Sequence, residues 1–248
     1  MRKLVWSACA AGLWLGALGG ARADDAALGV LERAVKAHGG EERLAKIRAD
    51  KVKLKGVFYV AAKEIPFTAE TTVQLPGQFR NVIQLTGDRK VTILQILNGD
   101  KTYVAFDGQP QKVEAAAAAE IREMMQLDQA VRLVPLLADK SFTLEGLGES
   151  KVGDQAVWGV KASAKGRRDV LLFFDKETYL LVKTEHQLND GGDKEVKQEE
   201  FYSDFKDVDG YKRPMKISVR RNGNKLMEAE LTDVHYLDKV DDAEFAKP

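Results

Sequence analysis

Three histidines, several runs of carboxylates and a single cysteine are the residues of this sequence with the most chemistry to offer. His38 precedes Gly39-Gly40 and reads as a helix C-terminal residue, where an imidazolium complements the dipole. His186 and His235 fall on different strand candidates. A metal held between them would need further ligands, and none stands at ligand spacing, so no metal is expected. His235 alternates with Met227, Ala229, Leu231 and Leu237, which predicts a histidine at the edge of the core. Glu195, Glu199, Glu200 and Asp204 intersperse with Lys194, Lys197 and Phe201 and read as a solvated, charged strand face; Asp241-Asp242 reads as a turn or cap. There is no Gly-x-Ser-x-Gly elbow, no phosphate-binding glycine loop and no His-Glu-x-x-His. No catalytic constellation and no cofactor follow from these residues, and the expectation is a protein that is not an enzyme.

The N-terminus directs the chain out of the cytoplasm. Met1-Arg2-Lys3 supplies positive charge, Leu4 to Gly20 an uncharged apolar stretch, and Ala21-Arg22-Ala23 a small-x-small exit, the pattern of a signal peptide cleaved after Ala23; the competing reading is an uncleaved anchor. Cys9 lies inside this segment, too early for a lipidation motif. The mature chain would therefore have no cysteine and no disulfide. Processing removes Arg2, Lys3 and Arg22 but no acid, which leaves 35 basic against 38 acidic residues. That slight acidity argues against nucleic acid as a partner, and after cleavage no segment predicts stable membrane insertion.

Periodicity defines the rest. Asp24 to Arg48 predicts a helix with Leu28, Leu31, Ala34 and Val35 on one face, stopped by Gly39-Gly40, then a short helix Glu41 to Ile47. In Lys51 to Val60, Val52, Leu54, Phe58 and Val60 oppose Lys51, Lys53 and Lys55; in Phe67 to Leu75, Phe67, Ala69, Val73 and Leu75 oppose Thr68, Glu70, Thr72 and Gln74. Pro76-Gly77, Gly87-Asp88, Asn98-Gly99, Asp107-Gly108, Gly153-Asp154, Lys165-Gly166, Asp190-Gly191-Gly192, Asp209-Gly210 and Asn222-Gly223 mark turns. One helix, Val113 to Ala138, interrupts the strands. The expectation is an α+β, mostly β chain: a single curled antiparallel sheet, an unclosed barrel of about 11 to 12 strands, with helices over its concave face. Residues 24–248 would form that one domain after the signal peptide, residues 1–23.

Four stretches carry a family resemblance: Ala37-His38-Gly39-Gly40-Glu41-Glu42 leading through Leu44 to Ile47 into the strand Lys51 to Tyr59; Lys151 to Val157 with Leu172 to Leu181; Tyr202 to Pro214; and Asp241 to Pro248. With them the chain resembles the LolA/LolB-like superfamily of periplasmic lipoprotein carriers, in particular its outer-membrane lipoprotein-sorting-protein-like branch. The resemblance implies a half-barrel whose apolar cavity takes up acyl chains, with Arg80 as the strand-borne candidate for the family's acyl-gating arginine.

Whether helices fill the concavity or roof a hollow is left open by the pattern. For a hollow, Phe58 and Phe67 on strands and Met124, Leu127, Val131 and Val134 on the helix are the candidate ligand-binding residues. The leading expectation is a soluble periplasmic carrier or binding protein for lipid or lipidated protein. The alternative is a protein-binding envelope sensor or adaptor on the same scaffold, with an envelope protein rather than lipid as its partner.

Overall fold

A computed structural model describes residues 24–87, 89–189 and 195–248. The signal-peptide reading and parts of the Gly87-Asp88 and Asp190-Gly191-Gly192 turns lie outside these residues. Among the described residues thirteen strands make one antiparallel sheet: β1 (Ala49–Val60), β2 (Lys63–Gln74), β3 (Gln78–Thr86), β4 (Lys90–Asn98), β5 (Lys101–Phe106), β6 (Gln109–Pro110), β7 (Phe142–Val152), β8 (Gln155–Ala164), β9 (Val170–Asp175), β10 (Leu181–Asn189), β11 (Glu195–Val208), β12 (Tyr211–Arg221) and β13 (Asn224–Leu237). The strand beyond the expected twelve is β6, two residues long and without a periodicity to read.

The sheet order runs from β6 down to β1, then β13, then down to β7. Every pairing joins neighbours in sequence except β1 with β13, which lie side by side in the middle. The two edges, β6 and β7, are therefore consecutive in the chain. Only the helical segment between them joins one edge to the other, and the sheet is not closed into a barrel.

That segment is two helices rather than the expected one, α3 (Ala115–Val131) and α4 (Val134–Ala138). Pro135 has no N–H to give to a carbonyl one turn back and is tolerated only in the first turn of a helix, so α3 stops before it and α4 starts afresh around it. Leu133 takes the break at φ 64°, a conformation costly for a branched side chain, and is held there by burial, with only 1% of its surface exposed. At the N-terminus, α1 (Asp25–Ala37) is capped by Asp24, whose side chain accepts from the Ala26 N–H. The same residue's N–H donates to the Leu144 carbonyl and its carboxylate accepts from Gly146, which pins α1 to β7. The second helix, α2 (Glu41–Leu44), is shorter than the predicted Glu41 to Ile47.

Apolar side chains divide the two faces of the sheet. Ala27, Leu31, Ala34 and Val35 of α1 and Leu136 of α4 pack with Val160, Leu172 and Phe174, filling the concavity over β7 to β10. On the outer face the C-terminal segment seals Ala49 and Ile96 with Val240 and Phe245. No described helix is long and apolar enough to cross a membrane.

At Gly56, in the middle of β1, a Cβ would collide with the Glu228 carbonyl and the Phe67 ring, so glycine is what lets Phe67 lie across the strand and stack on Phe58, centroids 4.2 Å apart. Gly56→Ala is expected to lower stability by about 1–3 kcal/mol, as overpacking does, measured as the shift in urea midpoint.

Candidate functional site

Over the centre of the sheet the helices do not fill the concavity. A cavity of about 540 Å³ lies beneath α3, between β1–β3 on one side and β10–β13 on the other. Its size falls within the roughly 300–1,000 Å³ usual for small-molecule sites. Phe58, Phe67, Met124, Leu127 and Val131 all line it. Val134 does not: it packs at the start of α4 against the filled half of the core. Met124 stands at 43% exposure while Met125 beside it is buried, so α3 turns one methionine to the rim and one inward. Leu54 and Ala69, which alternation grouped with Phe58 and Phe67, complete an apolar wall together with Ile83.

Polar groups enter this hollow in three places. Across β2, β3 and β4, Thr71 donates to Asn81 at 3.1 Å and Asn81 to Gln95 at 3.3 Å, a ladder that satisfies itself. At the end of α3, Arg132 is 9% exposed and bonds Asp50 at 2.9 Å and Asp128 at 2.6 Å; Arg213 stands 3.9 Å from Asp50. Burial by itself would lower the Arg132 pKa, but Asp128 and Asp50 outweigh it and hold the guanidinium charged.

Opposite, on β10 to β12, a chain of hydrogen bonds runs from Thr184 to Tyr202 (3.0 Å), from Tyr202 to Glu200 (3.0 Å), from Gln198 to Glu200 (2.9 Å), from Arg221 to Gln198 (2.9 Å) and from Arg221 to Glu120 on α3 (2.9 Å). Burial pushes the Glu200 carboxyl up against the opposing effect of Gln198, Tyr202 and Arg221. His186 lies beside this chain, opposite Gln198 in register, and its Nδ1 is buried without a partner. Burial first, then Arg168 and Arg221, bring the imidazole down to about 4, so it is neutral at pH 7.

Several expectations change on this geometry. Glu199 lies on the outer face as read, but paired with Lys183 and largely covered rather than solvated, and the reading fails for Glu200, which lines the cavity. Period-two alternation was the available signal, since it puts adjacent residues on opposite faces. His235 is not at the core edge. β13 carries a bulge at Thr232, where the register with β1 moves from Lys53 opposite Asp233 to Leu54 opposite Leu231. That extra residue sends His235 outward to Asp233, with its side chain 65% exposed, and turns Tyr236 to the cavity. His38 ends α1 as predicted but not as a cation: Nδ1 donates to the Ala34 carbonyl, Nε2 accepts from the Leu181 N–H, and burial lowers its pKa. Arg80 lies opposite Thr72 and Ile96 on the outer face, away from the cavity, so it cannot gate the hollow. No group of three or more metal-ligating side chains is present among the described residues.

Sequence comparison places the chain nowhere: no family model and no curated protein matches it. Solved structures do. A DUF1329 family protein from Desulfovibrio piger superposes with a TM-score of 0.59 over 90% of this chain and 98% of its own, at 12% identity. A LolA superfamily protein from Nitrosomonas europaea does so at 0.56, over 90% and 99%, at 14% identity. The chain has a LolA-like fold. A putative outer membrane lipoprotein-sorting protein domain from Vibrio parahaemolyticus shares this LolA-like architecture, with a TM-score of 0.54 over 88% and 95% at 11% identity.

Two outcomes follow. Asp50→Ala would leave Arg132 with Asp128 alone and take from Arg213 its acidic neighbour; this loss is expected to cost about 3 kcal/mol in urea unfolding, and Asp50→Leu combined with Arg132→Met should recover part of it. The second concerns pH. A histidine held neutral by the fold binds its proton earlier in the unfolded chain, so stability is lost as pH falls through 6.5 towards 4. A fall from 6.5 to about 4 at His186 corresponds to roughly 3 kcal/mol, His38 adds in the same direction, and the raised Glu200 opposes both. His186→Phe should flatten the loss of stability between pH 7 and pH 4 by about that amount, measured by urea unfolding at each pH.

Proposed function

We propose that this protein is a periplasmic, non-enzymatic binding protein that takes an acyl chain, from lipid or from an acylated protein, into the cavity beneath α3. The observation that carries this reading is the hollow itself. α1 and α4 pack the concavity solid over β7 to β10, yet α3 spans the centre above about 540 Å³ walled by Phe58, Phe67, Ala69, Ile83 and Leu127. Apolar walls around empty space forgo contacts that a chain inserted there would make, and each methylene transferred from water contributes about 0.8 kcal/mol. The LolA superfamily and lipoprotein-sorting names of two structural neighbours support the same class of ligand.

Mass spectrometry of organic extracts from natively purified protein is expected to show close to one equivalent of acyl lipid. Ala69→Phe, which projects a ring into the hollow, is expected to weaken uptake of a fluorescent acyl probe about tenfold or more while the thermal transition moves little. Protein that comes out clean and takes up no probe would sink the reading.

A further inference from the structure

Arg132 and Arg213 stand at the same end of the cavity, beside the C-terminus of α3, and are engaged differently. Arg132 is closed: Nε and Nη2 donate to Asp128, and Nη2 donates to Asp50. Arg213, on β12, has Asp50 as its acidic neighbour at 3.9 Å, and the oxygen concerned, Oδ2, already accepts from Arg132 at 2.9 Å. That contact balances charge but lies beyond hydrogen-bond distance. Among the described residues no acceptor takes any of the five N–H groups of Arg213, and its side chain is 26% exposed where it lines the cavity. Tyr236 repeats the pattern. It lines the same end, opposite Asp50 in the β1–β13 register, with its ring edge-on to Tyr211 at 4.7 Å. The hydroxyls of Tyr202 and Tyr211 are both bonded, whereas that of Tyr236 makes no hydrogen bond among the described residues and is not sealed from solvent. Two open donor groups at one end of an apolar hollow match a ligand whose polar end carries acceptors.

We propose that Arg213 and Tyr236 form a headgroup subsite, and that the ligand is an acyl chain ending in a carboxylate, whose oxygens accept from the Arg213 guanidinium and the Tyr236 hydroxyl. This rests on the acyl-binding reading above and adds the chemistry of the polar end. The chain then has a track to follow. Ile217 and Val219 line the cavity from the same strand as Arg213, Met227 stands opposite Val219, and Phe58 opposite Met227. The stretch of β12 from Arg213 to Val219 is roughly 20 Å long at about 3.3 Å per residue, so the subsite and the apolar wall are joined along one strand. The planar fork of a guanidinium matches the two coplanar oxygens of a carboxylate, and a direct bidentate contact is stronger than a charge held at 3.9 Å. The acids at this end do not compete for the place. Asp50 is not part of the cavity wall, and Asp128 is bonded to Arg132. Glu120, Glu123 and Glu200 line the hollow farther along, where Glu200 stands opposite Val219, and each already has its own partner in Arg221, Arg168 or Gln198.

The delipidated full chain would be titrated at pH 7 with hexadecanoate, methyl hexadecanoate and hexadecan-1-ol by displacement of a fluorescent acyl probe. Hexadecanoate is expected to bind about tenfold or more tightly than the ester and the alcohol, as a charge-assisted contact to Arg213 predicts. In Arg213→Gln that preference should fall to within about twofold, and Tyr236→Phe, which keeps the ring against Tyr211, should reduce it by about threefold or more. Equal binding of the three by the wild type, or a preference that survives Arg213→Gln, overturns the headgroup assignment and leaves the acyl reading standing. Failure of all three to bind sinks both. Should Arg213→Gln not fold, Tyr236→Phe takes its place, and an unchanged preference there overturns the assignment in the same way.

Discussion

The first strand of the chain pairs with the last, and the rest of the architecture depends on that one long-range pairing. β1 and β13 are joined from Ala49 opposite Leu237 to Phe58 opposite Met227, across nearly the whole sequence. Every other ladder closes a short hairpin, except where the β10–β11 connection leaves the described residues. With the ends of the chain fixed at the centre of the sheet, its middle has to emerge at the two edges. The helical link between β6 and β7 then has to run from one edge of the sheet to the other, and it does so over the concave face. Its composition decides only what lies beneath it. The Ala115 to Ala119 run brings helical propensity without bulk, so it helps to form a span more than it fills the space below.

The span is held by polar contacts spread around its length. Arg221 reaches Glu120, Arg168 reaches Glu123, Gln129 donates to the Pro76 carbonyl, and Arg132 reaches back to Asp50. Ion pairs and hydrogen bonds fix position through direction and distance, while a packed apolar face fixes it through volume. A roof attached in the first way stays in place above empty space; a roof attached only in the second would sink until the space closed. The hollow and the charges around it are thus two aspects of one arrangement; α1 is also tied at both ends, by Asp24 and His38, but between them Leu31, Ala34 and Val35 are buried and it packs down onto β7 and β8.

Where each backbone turn needed a recognisable residue, the sequence was sufficient. Asp107-Gly108, Asp209-Gly210 and Asn222-Gly223 all take the paired positive φ angles of tight hairpins. The β1–β2 turn uses Ala61-Ala62 at φ 48° and 64°, which nothing in the residue types announces. Alternation placed Phe58 and Phe67 correctly because β1 and β2 run without a bulge between them. It failed for His235 because one inserted residue at Thr232 inverts the faces of everything beyond it, and no residue type marks that insertion. Glu200 was hidden by its neighbours: among Glu195, Glu199 and Lys197 it reads as one more surface charge, and only the face on which the strand is laid distinguishes it.

The two charged centres in the cavity differ in a way that bears on why they are there. Around Arg132 the charges close on one another, two carboxylates to two guanidinium groups, and the result ties α3 to β1 and β12. On β10 to β12 only Arg221 serves the same end, through Glu120 of α3, and the side chains of His186, Gln198 and Glu200 beneath it make no bond to the helix. Leu188, Val196 and Val219 show that these strands accept aliphatic side chains around the same stretch, and apolar residues at His186, Gln198 and Glu200 would stabilise the fold at least as well as a satisfied polar chain and better than an unsatisfied one. A hydrogen-bonded wall that stops one group short of completion costs stability in the empty protein.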